Sequence, residues 1–224
     1  LYEYDLNSRI TTKELGKKTN TSQQSAFYLI NSLKEKKHII GEACIVDPLK
    51  LGYMNTLVGL NFIKIDVKTR KDVVARLTHL PQVVSIEESN EGVDLLVEFS
   101  TKNLGQFDQL HRKFIESSSK EVTTAFIFPI ISKFIYAKKY LKSTKVPKYA
   151  VLFGDRKYHT LTDNQKKVLE ELVKYPTKKL IDIAEDTNLN VKAVTKAKKD
   201  LEERRIIKGY TAIFDHKEFG IHRE

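Results

Sequence analysis

One block of sequence occurs twice in this chain. Residues 36–52 read KKHIIGEACIVDPLKLG, and residues 204–220 read RRIIKGYTAIFDHKEFG. Gly41, Asp47 and Gly52 align with Gly209, Asp215 and Gly220 at a single offset, because 209 − 41, 215 − 47 and 220 − 52 all equal 168. Ile39 and Ile45 align with Ile207 and Ile213 in the same register. Self-similarity without a gap means one supersecondary unit built twice. The fold must therefore hold two like units and whatever lies between them.

The same pair of helical patterns precedes each block. TTKELGKKTN, residues 11–20, reads as a short amphipathic helix with Leu15 inward and Thr11 or Thr12 as N-cap. SQQSAFYLINSLKEKK, residues 22–37, reads as a second helix with Ser22 as N-cap and Ala26, Leu29, Ile30 and Leu33 as its inner stripe. KKLIDIAEDTN and NVKAVTKAKKDLEERR take the same places in the second copy, with Val191, Val194, Ala197 and Leu201 inward. DNQKKVLEELVKY adds a front helix there, apolar at Val168, Leu169, Leu172 and Val173 and ended by Pro176. LYEYDLN, which opens the chain, reads as the tail of a like helix whose beginning is absent, and the first residue is Leu rather than Met. Two short helices across a tight turn, followed by a strand, make a winged helix-turn-helix.

Between the copies, strand and helix patterns alternate. TLVGLNFIKIDV is strand-like, RKDVVARLTHLP helix-like, and QVVSIEES and VDLLVEFS are strands joined through NEG. NLGQFDQLHRKFIES is a helix with Leu104, Phe107, Leu110 and Phe114 on one face, and EVTTAFIFPIISKFIYAKKYL is a strand region interrupted at Pro129. The order βαββαβ is the ferredoxin-like split βαβ arrangement. Helices cover one face of such a sheet. Leu57, Gly59, Asn61, Ile63 and Ile65 alternate with Val58, Leu60, Phe62 and Lys64, so the second face needs another cover, here a dimer partner.

The fold class is thus α+β, in four segments. Residues 1–53 form a helix-turn-helix domain with an incomplete front helix, and residues 54–141 a ferredoxin-like dimerisation domain. Residues 142–160 form a basic linker, and residues 161–224 a second helix-turn-helix domain. The stretch from Lys133 to Lys157 carries Lys133, Lys138, Lys139, Lys142, Lys145, Lys148, Arg156 and Lys157 against Asp155 alone. It reads equally as a phosphate-contacting strip or as a linker kept soluble by lysine. The net charge of +10 favours a polyanionic partner such as nucleic acid or an anionic membrane surface.

In a helix-turn-helix the first turns of the second helix meet base edges. The first copy presents Ser22, Gln23, Gln24, Phe27, Tyr28 and Asn31 there. Gln and Asn bond adenine bidentately, and aromatic faces pack on thymine methyls. Phe27 and Tyr28 suit a subunit interface as the alternative. The second copy presents Lys192, Thr195, Lys196 and Lys199, which suit phosphates better than bases.

Together these residues resemble the leucine-responsive/asparagine-type (Lrp/AsnC) transcriptional regulators. The resemblance rests on Ser22, Ser25, Ala26, Leu33, Ile39, Gly41, Asp47, Leu51 and Gly52 in the first copy. In the second it rests on Asn190, Ala193, Val194, Leu201, Ile207, Gly209, Asp215, Phe219 and Gly220. It covers nearly all of the chain and is carried by the order of domains. It implies a DNA-binding regulator acting on double-stranded DNA, a homodimer or higher homo-oligomer, and a small-molecule effector bound by the middle domain, of RAM/AsnC type, near Gly92 and Asp94. It also implies a regulator unit duplicated in tandem, with a second effector domain expected after Gly220. Two departures stand out. Leu29 and Ala197 occupy the place where the family often has Arg, and Gly92 and Asp94 are separated by Val93 alone where the family has two residues.

Other classes receive less support. Haem-pathway decarboxylases share this family's fold, but His79 and His111 are separated in sequence and no catalytic motif accompanies them. RNA-recognition domains share βαββαβ but need aromatics on a central strand, where DLLVEFST offers Phe99 alone. No catalytic residues, metal site or cofactor are expected, because one Cys and six scattered His lack ligand spacing. Cys44, the only cysteine, lies in an apolar run as a structural thiol and fits a reducing cytoplasm. No apolar run is long enough to span a membrane, and no signal peptide is present.

Overall fold

The computed structural model describes residues 1–63, 66–89, 91–136, 138, 149–154 and 157–215. The helices are α1 (Tyr2–Leu6), α2 (Thr12–Thr19), α3 (Gln23–Glu35), α4 (Val67–Thr78), α5 (Leu104–Ser117), α6 (Asp163–Lys174), α7 (Leu180–Thr187) and α8 (Val191–Glu203). The strands are β1 (Ile39–Val46), β2 (Met54–Phe62), β3 (Val83–Glu88), β4 (Leu95–Thr101), β5 (Val122–Pro129), β6 (Lys133–Tyr136), β7 (Tyr149–Leu152) and β8 (Ile207–Phe214), with a 3₁₀ turn at Pro48–Leu51. The chain divides into two compact units. One comprises residues 1–47, 134–152 and 160–224, the other residues 48–133 and 153–159. Both helix-turn-helix segments thus fall within one unit.

In that first unit the 168-residue offset recurs element by element. Adding 168 to the bounds of α2, α3 and β1 gives those of α7, α8 and β8, and α1 maps onto the last five residues of α6. Local chemistry follows the offset too. Asn20 and Asn188 both end their helices in the left-handed region, at φ 57° and 54°, and Lys37 and Arg205 both adopt positive φ after the second helix. Asn enters that region more readily than most residues because its short side chain bonds locally. Ser22 and Asn190 each accept a backbone N–H three residues on, from Ser25 at 3.0 Å and Ala193 at 2.8 Å. Such caps stabilise a helix start by about 1 kcal/mol. The match is imperfect at one place: Thr11 forms a capping box with Glu14, whereas Lys179 caps α7 with no side-chain bond.

The trailing strands of the two copies pair with each other. β1 and β8 form an antiparallel ribbon in which Ala43 opposes Thr211, Glu42 opposes Ala212 and Cys44 opposes Tyr210. Since 43 + 168 = 211, one residue faces its own counterpart at the centre, and flanking pairs exchange roles on either side. The ribbon ends are reciprocal as well. Asp47 N–H donates to Ile206 O at 2.9 Å, and Asp215 N–H donates to His38 O at 3.1 Å. This is the pattern of an isologous, two-fold interface, here realised within one polypeptide. The cores interlock accordingly. Tyr4, Leu15, Ala26, Ile30 and Ile39 of the first copy pack with Ala212 and Phe214 of the second in one cluster. Arg9 reaches across the copies too, donating to Pro176 O at 2.6 Å and Lys178 O at 2.9 Å while its guanidinium lies 5.3 Å from the Tyr210 ring centre.

The second unit is a four-stranded antiparallel sheet in the order β3-β4-β2-β5, with α4 and α5 on one face. Val58, Leu60 and Phe62 on β2 and Leu95, Val97 and Phe99 on β4 form its core with Val73, Leu77, Phe107 and Phe114 from the helices. The period of two sends Leu57, Gly59 and Asn61 to the opposite face. There Phe126 lies so close to Gly59 that a Cβ on Gly59 would sit 2.5 Å from the ring, and Phe126 stacks on Phe128 at 4.7 Å. Lys64 and Ile65, part of the alternation read for β2, lie outside the described residues, as do Phe219 and Gly220.

Several expected inward positions are not buried. Leu29 is 55% exposed, and Val173, Val191 and Leu104 also face solvent. Val191 and Leu104 open their helices, where the chain has yet to settle against a neighbour. Leu29 and Val173 lie at the edge of stripes narrower than the sequence pattern suggested. Within the stretch read as a linker, Tyr149–Leu152 forms a strand paired with Lys133–Tyr136.

Candidate nucleic-acid interface

The candidate interface is built on α3 and α8, each presented by a tight turn. In the first copy Gly16 sets that turn: a Cβ there would lie 2.7 Å from Thr21 O, so the two helices close over a hydrogen. Thr21 N–H donates to Gly16 O at 2.8 Å, and its counterpart Leu189 N–H donates to Ala184 O at 2.9 Å. Ala26 and Ile30 are buried beneath α3, and Val194, Ala197 and Leu201 beneath α8. Anchored in this way, each helix shows a fixed face to solvent.

On α3 that face is uncharged through its first two turns. Gln23 and Gln24 are exposed behind the Ser22 cap, and Asn31 is half-buried. Phe27 is 51% and Tyr28 71% exposed, their rings in an edge-to-face pair 5.9 Å apart. Leu29 adds a third exposed apolar side chain beside them. A pair of aromatics this exposed does not belong to the core of the unit that carries it.

On α8 the equivalent places carry charge. Lys192, Thr195, Lys196 and Lys199 are exposed, and Thr195 Oγ1 donates back to Val191 O at 2.8 Å. Among the described residues neither Lys192 nor Lys196 is paired with a carboxylate, while Lys199 lies 3.6 Å from Glu203 with both side chains well exposed. Such a pair is worth little, so all three ammonium groups remain available to an anion.

The basic stretch is partly committed elsewhere. Lys133 Nζ donates to Glu98 Oε2 at 2.5 Å, and Asn55 Nδ2 donates to the other carboxylate oxygen at 2.6 Å. Lys138 Nζ donates to Asp5 Oδ1 at 2.5 Å and to Ala212 O at 2.9 Å, and Thr211 Oγ1 donates to the same Asp5 oxygen at 2.8 Å. These two lysines therefore serve the fold. Lys139, Lys142, Lys145, Lys148 and Arg156 lie outside the described residues.

The hairpin read as an effector contact is tightly bonded to the sheet. Gly92 turns it at φ 78°, a conformation that favours glycine. Asp94 Oδ2 accepts Phe62 N–H at 2.8 Å, and Asp94 N–H donates to Leu60 O at 3.1 Å. His111 is half-buried against Phe107, with Nε2 3.0 Å from Thr124 Oγ1, and burial lowers its pKa. His79 lies at the end of α4, with Nδ1 2.6 Å from Ala75 O. Cys44 is half-buried in the ribbon. Burial, then the nearby Glu202 carboxylate, push its thiol pKa up to about 12. Among the described residues no three His, Cys, Asp or Glu side chains gather as a metal site, and no helix is long and apolar enough to cross a membrane.

Reasoning from sequence did not find the ribbon or the Asp5–Lys138–Thr211 cluster. The signal that could have led to the ribbon was present, since a repeated strand with apolar residues on both faces needs a partner and its own copy supplies one.

No protein-family model matches the chain. It is 31% identical over 91 residues to the HTH-type transcriptional regulator FL11 of Pyrococcus horikoshii, and 30% identical over 97 residues to that of Pyrococcus furiosus. These stretches are 41% and 43% of this chain, and the chain spans 59% and 63% of the length of those relatives. Among solved structures, a transcriptional regulator of Neisseria meningitidis in complex with L-Met matches 58% of this chain and 84% of its own, with a TM-score of 0.52 at 18% identity. The siroheme decarboxylase NirDL, in complex with an iron-uroporphyrin III analogue, matches 95% of this chain and 63% of its own, with a TM-score of 0.59 at 15% identity. At these identities the structural likenesses concern the fold alone. What the chain shares with these structures is an α+β architecture with helix-turn-helix elements and a ferredoxin-like sheet unit.

Proposed function

We propose that this chain is a DNA-binding transcriptional regulator of the Lrp/AsnC type, arranged as a tandem of two helix-turn-helix domains around one effector domain. The observation that carries this reading is the solvent-facing first half of α3. Ser22 caps it, Gln23 and Gln24 lie free of the core, and Phe27, Tyr28 and Asn31 follow on the outer side. Side chains that pair with adenine edges and thymine methyls stand where this motif enters the major groove. The similarity to the Pyrococcus regulators supports the same reading.

Three further parts belong to the proposal. Lys192, Thr195, Lys196 and Lys199 on α8 contact phosphates. A small-molecule effector acts at the β3–β4 hairpin, with Gly92 and Asp94 as its contacts. The open sheet face bearing Leu57, Phe126 and Phe128 is covered by a second chain. Selection of genomic fragments by gel shift, followed by footprinting, tests the main reading: a protected site of defined sequence is the expected result, and protection without sequence preference counts against it.

A second reading is catalytic, motivated by the fold likeness to NirDL over nearly the whole chain. His111 and His79 would be its titratable groups. Titration with iron-uroporphyrin, followed in the Soret region, separates the two: saturable binding at micromolar concentration supports the catalytic reading, and an unchanged spectrum supports the regulator.

A further inference from the structure

The pairing of the two copies has a consequence for the DNA itself. Resting on the DNA-binding reading above, we propose that one chain fills a complete duplex site alone and that this site is not a palindrome. One half is read in sequence by α3; the other is held through its phosphates by α8. Helix-turn-helix proteins that bind as symmetric dimers meet operators whose two-fold symmetry mirrors their own. In this chain the two-fold relation is internal. Ala43 faces its counterpart Thr211, and the Asp47–Ile206 and Asp215–His38 bonds repeat each other across the ribbon. Ala212 and Phe214 complete the core beneath α3, so the second reading head is built into the fold of the first.

The two heads, though related by geometry, are unlike in chemistry. Gln24 corresponds to Lys192, Tyr28 to Lys196 and Asn31 to Lys199, at the one offset of 168. A palindrome would offer equal base edges to an amide-bearing surface and to a lysine surface. Only the amide surface can discriminate them, because lysine contacts to phosphate position a protein without reading sequence. Duplex sites that suit this chain should carry one strict half and one permissive half in fixed orientation.

The test uses the whole chain and a randomised duplex library. The expected consensus has a single strict half-site flanked on one side by a permissive half, and native mass spectrometry at nanomolar protein, below the concentration at which the open sheet faces pair, shows saturation at one chain per site. Replacing the permissive half by an inverted copy of the strict half should change affinity by no more than about twofold, since α8 reads neither. An inverted-repeat consensus, or two chains per site, would overturn the inference while leaving DNA binding intact. Failure to bind any duplex at low salt would instead remove the reading on which it rests, and this inference with it.

Discussion

Ala43 faces Thr211 across the β1–β8 ribbon, and each holds the position the other would take if the two copies were exchanged. A self-opposed pair of this kind marks a two-fold axis, the feature that ordinarily joins two subunits. Linking the two halves in one polypeptide keeps them together at any protein concentration. It also frees α3 and α8 to carry different side chains at equivalent places.

The interlocked core makes a prediction about coupling. Phe214 belongs to the last strand of the second copy but is buried beneath α3 of the first. Phe214→Ala should cost about 3–5 kcal/mol, as deletion of a buried aromatic does. Hydrogen exchange should show the loss in the amides of α2 and α3 as well as in β8. Loss confined to β8 and α8 would mean that the two copies fold independently.

The polar cluster around Asp5 should matter as much. Its buried carboxylate accepts from Lys138 and Thr211. Asp5→Ala leaves a half-buried ammonium without its partner, at a cost of about 3–5 kcal/mol. A midpoint of chemical denaturation within error of the wild type would show that the cluster contributes nothing.

Much of this structure was legible in the sequence, and the reasons for the remainder are physical. The offset of 168 locates three pairs of elements, and Ser22, Asn190, Asn20 and Asn188 mark their ends through backbone bonds that depend only on neighbours in the chain. Leu29 was not legible. It stands three residues after Ala26 and four before Leu33, so helical spacing admits it to the inner stripe as readily as Ile30. Short α2 covers too narrow a strip to bury all four. The partner of β1 could be read only through the repeat, because strand pairing joins residues far apart in sequence and local spacing alone does not name β8. For the candidate interface, the sequence located Phe27, Tyr28 and the lysines of α8 on the outside, where the structure has them. Lys133 and Lys138, read there equally as part of a phosphate strip or of a soluble linker, are both held by buried carboxylates.

Cys44 should be slow to alkylate. Its raised pKa means that the folded protein holds the thiol proton more tightly than the unfolded chain does. That preference stabilises the fold below the ordinary thiol pKa near 8.5 and is lost as pH rises towards 12. At pH 8 iodoacetamide should modify the native protein far more slowly than the protein in denaturant. Equal rates would contradict burial of Cys44 in the ribbon.

The open sheet face predicts self-association. Phe128 is exposed and pairs with Leu57, on the side away from the helices. The full chain should sediment as a dimer at tens of micromolar, and Phe128→Glu should shift it towards monomer, since burying a carboxylate at an apolar contact is costly. A wild-type monomer at that concentration would leave this face without a second chain.

The division of labour between α3 and α8 is tested most directly by salt-dependent DNA binding. Fluorescence titrations of a selected duplex should show affinity falling by roughly 10³ to 10⁵ between 50 and 200 mM salt if six to ten phosphates are contacted. Lys196→Ala should weaken every duplex alike and reduce the salt slope by about one unit. Gln24→Ala should cost about 1–3 kcal/mol on the preferred site alone and leave the slope unchanged. The contradicting result is a titration with no binding at 50 mM salt, or one in which Gln24→Ala and Lys196→Ala leave both affinity and slope untouched.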